Sequence, residues 1–143
     1  MVRQSQDQER NGRDDGRQQF PFEGLHVYQR AQEAWLACLA AADDDPLGPE
    51  IEREVRLATI GIARATAHSR TNGTRNDGGF SSALEDARGS LHAAAALIEQ
   101  RARRGGADEP ELRALLMDGS RMLGALIRTV SQRGEAVETE AVV

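Results

Sequence analysis

Phe80-Ser81-Ser82-Ala83-Leu84-Glu85-Asp86-Ala87-Arg88-Gly89-Ser90-Leu91-His92-Ala93-Ala94-Ala95-Ala96-Leu97-Ile98 is the stretch that decides the fold. Its apolar positions Phe80, Leu84, Ala87, Leu91, Ala94 and Ile98 recur at alternating steps of four and three. That period winds one apolar stripe around a helix and cannot describe a strand, whose faces alternate. The run closes on Arg103-Arg104-Gly105-Gly106. Cations in a last turn meet the negative end of the helix dipole, and the glycines supply a left-handed cap.

The same rhythm continues on both sides. Downstream, Asp108 is placed to cap a helix with Pro110 and Glu111 in its first turn, and Leu112, Leu116, Gly119, Leu123, Leu126 and Val130 form its stripe. Upstream, Ile51, Val55, Ala58, Ile62 and Ala65 make another. Before that come Tyr28, Ala31, Trp35, Cys38 and Ala42, widened by Leu25, Leu36 and Leu39. Asp43-Asp44-Asp45-Pro46-Leu47-Gly48-Pro49 separates these two helices. The longer Ser69 to Gly79 connection, in which Asp77 reads as a cap, separates the central pair. The pattern predicts an all-α protein, an antiparallel up-down-up-down four-helix bundle over residues 20–133. Its helices should each have roughly 18 to 25 residues, well matched in length. Residues 1–19 are almost wholly polar and are expected to be a disordered tail. Residues 134–143, with Glu135, Glu138 and Glu140, read as an acidic disordered tail.

Composition narrows the class. Of 143 residues, 39% are apolar and only 3% aromatic, so the core has to be Ala, Leu, Ile and Val. Trp35 and Leu91, central on their stripes, are expected to be buried. All 18 basic residues are Arg, against 23 acids, for a net charge of −5. A dedicated nucleic-acid binder carries the opposite balance. One cysteine excludes a disulfide framework and a multi-Cys metal site. The longest apolar run, Ala34 to Ala42, is too short for a bilayer, and the polar N-terminus is no secretory signal. A soluble, cytoplasmic chain with no membrane partner is the expectation.

The chemistry-bearing residues are few. Glu23-Gly24-Leu25-His26 has the Glu-x-x-His spacing of di-iron bundles, but that chemistry needs a second motif, and His68 and His92 do not provide one. Cys38 lies on an apolar stripe with no base beside it, so it reads as a small core residue. His68 reads as a helix-terminal polar residue. The Ser69–Gly79 loop lacks the order of a phosphate-cradling loop. No catalytic residue, cofactor or metal is implied, and the chain is read as non-enzymatic.

Two other features point to binding. Arg56, Arg64, Arg70 and Arg75 cluster around helix 2 and the loop after it, and Arg101, Arg103 and Arg104 around the end of helix 3. These are the candidate nucleic-acid or partner contacts. The two groups should lie at opposite ends of the bundle, with the Asp43–Asp45 run beside Arg64, Arg70 and Arg75 and partly cancelling them. Any nucleic-acid affinity should therefore be weak and lost by physiological salt. Gly61, Gly89, Ser90, Gly119 and Gly124 sit inside helices, where each glycine costs about 1 kcal/mol relative to Ala. They are expected to mark close packing of helices or of subunits, Gly89 most of all. Leu57, Ile60, Leu97, Leu115, Met122 and Ile127 lie off the stripes, and such a second apolar face suggests self-assembly.

Phe22-Glu23-Gly24-Leu25-His26-Val27-Tyr28-Gln29-Arg30-Ala31, Arg56-Leu57-Ala58-Thr59-Ile60-Gly61-Ile62 and Ala87-Arg88-Gly89-Ser90-Leu91 together resemble three signatures of a known family. It comprises the bacterial four-helix-bundle proteins encoded by intervening sequences of 23S rRNA genes. The resemblance covers about residues 20–133. It implies a ring-like homo-oligomer, typically a pentamer, without established activity or catalytic residues. Its relatives include the accessory variability determinant proteins of diversity-generating retroelements, which are basic and bind nucleic acid. The chain departs from the family at the end of helix 2. Ala65, Thr66, Ala67, His68 and Ser69 stand where Asn-Ile-Ala-Glu-Gly is usual. The expected function is that of a homo-oligomeric assembly or adaptor module for a protein partner. The alternative is RNA or DNA binding through Arg clusters concentrated by oligomerisation.

Overall fold

A computed structural model describes residues 21–41, 45–68, 77–106 and 108–142, of which 21, 24, 77 and 133–142 are described as backbone only. Residues 1–19, the Asp43-Asp44 pair, Arg70 and Arg75 lie outside it. All the regular structure among the described residues is helical. A 3-10 turn, Pro21–Gly24, leads into α1 (His26–Ala40), followed by α2 (Gly48–His68), α3 (Asp77–Arg103) and α4 (Pro110–Val142).

Local chemistry sets the boundaries. Pro46 and Pro49 break the chain between α1 and α2, and the Asp45 Oδ1 accepts from the Leu47 N–H at 2.8 Å to shape the turn. At the end of α3, Gly105 takes φ +84°. The Gly106 N–H then reaches back to the Arg101 carbonyl and the Gly105 N–H to that of Ala102, at 2.9 and 3.1 Å. This pair of bonds is the left-handed glycine stop expected there. α4 begins one residue later than its acidic signal suggests. The Arg113 N–H donates to the Glu109 carbonyl, so Glu109 rather than Asp108 holds the cap position.

Packing follows the stripes on three helices. Ile51, Val55, Ala58, Ile62 and Ala65 of α2 are buried, as are all six stripe residues of α3. On α4, Leu112, Leu116, Leu123 and Val130 are buried, while Leu126 packs at the margin. α1 packs on α2 and α4, and α3 on α2 and α4, so the four helices close around one core as a helical bundle. Thr59, buried in that core, donates its hydroxyl to the Val55 carbonyl at 2.8 Å.

α1 departs from its expected register. Its buried line is Val27, Ala31 and Ala34. Trp35 sits one position to the side and is only partly buried, packed against the core edge. The reason is the indole N–H, which needs an acceptor. It donates to Glu52 Oε1 of α2 at 2.9 Å, a bond a central Trp could not make. Leu36 and Leu39 are then turned outward, 58% and 54% exposed.

The helices are also unequal, with 15, 21, 27 and 33 residues rather than one matched length. α1 is shorter and α3 longer than expected, and α4 is the longest because it runs on through the stretch read as an acidic tail to Val142.

Gly61 of α2 faces Ala87 of α3 so closely that an added Cβ would stand 3.4 Å from the Ala87 Cβ. A Cβ on Gly119 would come within 3.1 Å of Leu91 Cδ1. Gly89 is different. Nothing lies within 4 Å of where its Cβ would be, and it is exposed. The close intrachain contact expected at Gly89 belongs instead to Gly61. Position explains this, since Ala87 is turned to α2 and Gly89, two residues on, to solvent. Ser90 beside it is half-buried.

Candidate functional site

One end of the bundle gathers the last turns of α1 and α3 with the first turns of α2 and α4. Arg101 is only 3% exposed there. Its Nη2 donates to Glu109 Oε2 at 2.7 Å, while its Nε has no acceptor among the described residues. An Arg expected as a surface contact is therefore an internal strut between α3 and the start of α4. Charge pairing decides this, because a guanidinium is buried only beside a carboxylate. Asp45 lies at this same end, its Oδ2 2.9 Å from where a Gly106 Cβ would be. The acidic turn thus neighbours Arg101 and not the far end of α2, where it was expected. The turn joins the end of α1 to the start of α2, and α3 ends beside that start.

A cavity of about 310 Å³ opens here, lined by Cys38, Leu39, Ile51, Glu52, Arg101 and Glu109 among others. Burial pushes the Cys38 thiol up from 9.0 to about 11, and the Glu109 and Glu52 carboxylates add to the shift, against a smaller opposing effect of Arg101. A thiol held protonated is a poor nucleophile. Cys38 is half-buried rather than central in the core.

The remaining predicted residues do not converge. Arg56 stands 3.9 Å from half-buried Glu52, a long contact, and Arg103 3.1 Å from Glu99 as an exposed pair worth little, both at i,i+4 spacing. Arg64 and Arg104 are exposed without a partner among the described residues. The Glu23 carbonyl, on the 3-10 turn, accepts from Gln29 Nε2, and His26 and His68 are exposed. Among the described residues no three His, Cys, Asp or Glu side chains come together in a way that could hold a metal.

A different set does converge. Between α3 and α4 runs a groove holding a cavity of about 330 Å³. Arg88, His92, Arg113, Ser120 and Arg121 give its polar lining, and Leu91, Ala95, Leu116 and the exposed Met117 its apolar lining. Ser120 Oγ ties the helices together, 2.7 Å from His92 Nε2 and 3.4 Å from the Arg88 Nε donor. Gly124, one turn further along α4, is covered by two guanidiniums. A Cβ there would meet Arg88 Nη2 at 3.6 Å and Arg128 Nη1 at 3.5 Å. The signal was in the sequence, as Arg88 and His92 one turn apart on α3 and Arg113, Ser120, Arg121 and Arg128 on one side of α4. Grouping Arg residues by chain proximity, instead of by helix face across two helices, hid it.

The fold and groove define a helical bundle with a polar, Arg-lined seam. No family model, no curated protein and no solved structure matches the chain.

Proposed function

We propose that the protein is a non-enzymatic, homo-oligomeric binding module, an antiparallel up-down-up-down bundle that serves as an assembly or adaptor unit for a protein partner in the cytoplasm. The observation that carries this is the outer face of α2. Leu57 and Ile60, one turn apart, are 42% and 38% exposed. Two large aliphatic side chains on one solvent face are what a subunit contact uses. The antiparallel path of α3 and α4 is supported by the residue pairs Leu91 with Gly119 and Arg101 with Glu109, in which one number rises as the other falls. The resemblance to the intervening-sequence family supports a pentamer. No helix among the described residues is long and apolar enough to cross a membrane.

Light scattering on the purified chain tests the reading. A mass near five times the 15.6 kDa chain is expected, falling to that of the monomer in Leu57→Glu with Ile60→Glu while helicity is retained. A monomeric wild-type protein refutes it. The second reading, RNA or DNA binding, is favoured by exposed Arg64 and Arg104, though Arg101 no longer contributes. Labelled single-stranded RNA titrated at two salt concentrations separates the readings. Binding that disappears at the higher salt agrees with the few phosphates such a surface can neutralise.

A further inference from the structure

We propose that the α3–α4 groove is a binding site for a small phosphate ester, a ligand of one or two phosphoryl groups with an apolar body. The arginines differ in their pairing. Arg30, Arg56, Arg101 and Arg103 each have a Glu within 4 Å. Arg88, Arg113, Arg121 and Arg128 have no carboxylate partner among the described residues, and all four stand along this one groove. Arg53, Arg64 and Arg104 are unpaired as well, but they border none of the cavities described here.

Like charges also crowd together beside the groove. Arg88 and Arg128 both reach within 3.6 Å of one point above Gly124. Their guanidiniums are thus no more than about 7 Å apart, a repulsion that a bound anion reverses into attraction. The absence of a side chain at Gly124 leaves room for both, which gives a reason for a glycine inside α4. The lining of the cavity includes no acid among the described residues, and Glu85 borders a smaller notch shared with Arg88, Gly89 and His92.

The groove's donors fit a phosphoryl group. Guanidinium forks, a hydroxyl and an imidazole are donors to phosphoryl oxygens, and Arg88, Ser120 and His92 are already held together by hydrogen bonds. Three arginines around one cavity, with Arg128 one turn beyond, exceed what a monocarboxylate neutralises and suit a di- or trianion. The apolar lining of Leu91, Ala95, Leu116 and Met117 would be wasted on an inorganic ion and suits an organic group. The volume is that of a small ligand. This site is independent of self-assembly, since its residues lie on α3 and α4 and the proposed subunit contact on α2.

Isothermal titration of the full chain at fixed ionic strength tests it, with three probes: inorganic pyrophosphate, adenosine diphosphate and single-stranded RNA. Pyrophosphate and the nucleotide should each bind saturably and displace one another, and sodium acetate should not bind. Arg88→Gln with Arg121→Gln should weaken both by about tenfold or more, while Arg64→Gln leaves them unchanged. In the wild-type chain, pyrophosphate should also protect Arg88 and Arg121, but not Arg64, from phenylglyoxal. That measurement needs no variant to fold. The proposal is overturned by the lack of saturable binding up to about 1 mM, by equal binding in the double variant, or by unprotected groove arginines. RNA that binds and is not displaced by pyrophosphate overturns it in favour of a polynucleotide surface.

Discussion

The two seams that flank α3 are built on opposite principles. On the α2 side, Gly61 and Ala87 bring two backbones together, and the line of contact is apolar and closed. On the α4 side, the helices are joined by Arg101 with Glu109 at one end and by Arg88, His92 and Ser120 further along, over an open cavity. One helix thus meets α2 by close apolar approach, and on the α4 flank adds charge and hydrogen bonding to the apolar contact of Leu91 with Gly119. The lesson is that residue size at a seam sets the spacing of helices, and spacing sets whether a seam can hold a ligand. Small residues seal, whereas long polar ones prop open.

The polar seam should be the more fragile when its charge balance is disturbed. Glu109→Ala leaves Arg101 buried without a counter-charge and should cost about 3 to 5 kcal/mol in urea unfolding. A loss below about 1 kcal/mol, the worth of an exposed pair, shows instead that Arg101 reaches water. Leu91→Ala comes next. Leu91 is nearly inaccessible, touches the line of Gly119, and forms part of the groove's apolar lining. Its loss should cost about 2 to 5 kcal/mol, toward the lower end if the open groove lets the site collapse. The apolar seam is broken from the other direction. Gly61→Leu inserts a side chain where even a Cβ is in contact with Ala87, and should cost about 1 to 3 kcal/mol. If Gly61→Leu is neutral, the seam is not closed.

How far the sequence revealed this contrast depends on what was being read. The stripes of α2 and α3 could be read residue by residue, because Ile51 to Ala65 and Phe80 to Ile98 are apolar and have only one face to bury. α1 misled, because Trp35 looks like a core anchor by hydropathy while its indole N–H requires an acceptor at the edge, supplied by Glu52. The Gly105 stop on α3 was legible from its chemistry. The groove was not. Arg88 and Arg128 are 40 positions apart in the chain, and only the pairing of α3 with α4 brings them together. Arg101 was misassigned for a related reason, since its partner Glu109 lies beyond the turn that Gly105 creates.

The Cys38 thiol reports on the end where the polar seam begins. Unfolded, the thiol releases its proton near pH 9.0, and folded near pH 11, because burial and the Glu109 and Glu52 charges disfavour the thiolate. Between these values the unfolded chain gives up the proton and the folded chain keeps it. Stability therefore falls as pH rises through that window, by less than the full shift implies because the half-buried thiol is partly screened by water, and is unaffected below it. Urea unfolding at pH 8.5 and 10.5 should show this loss in the wild-type protein and not in Cys38→Ala. Removing Glu109 should narrow the window, as one of the two carboxylates raising the thiol is gone.

The smallest effect separates the single chain from an assembly. Gly89 follows the closed seam by two residues, yet it faces open space in the chain. Gly89→Ala should then stabilise α3 by about 1 kcal/mol, the ordinary difference in helix propensity, with no change in mass. Gly61→Ala gains the same propensity but presses a Cβ to 3.4 Å from that of Ala87, so its net change should be smaller. A loss of stability or of oligomeric mass in Gly89→Ala has a different meaning. It places a second copy of the chain against that glycine, making its open edge the continuation of the α2 face that carries Leu57 and Ile60. Thermal unfolding with light scattering on both glycine variants distinguishes the cases, because only a contact between copies makes the change depend on protein concentration.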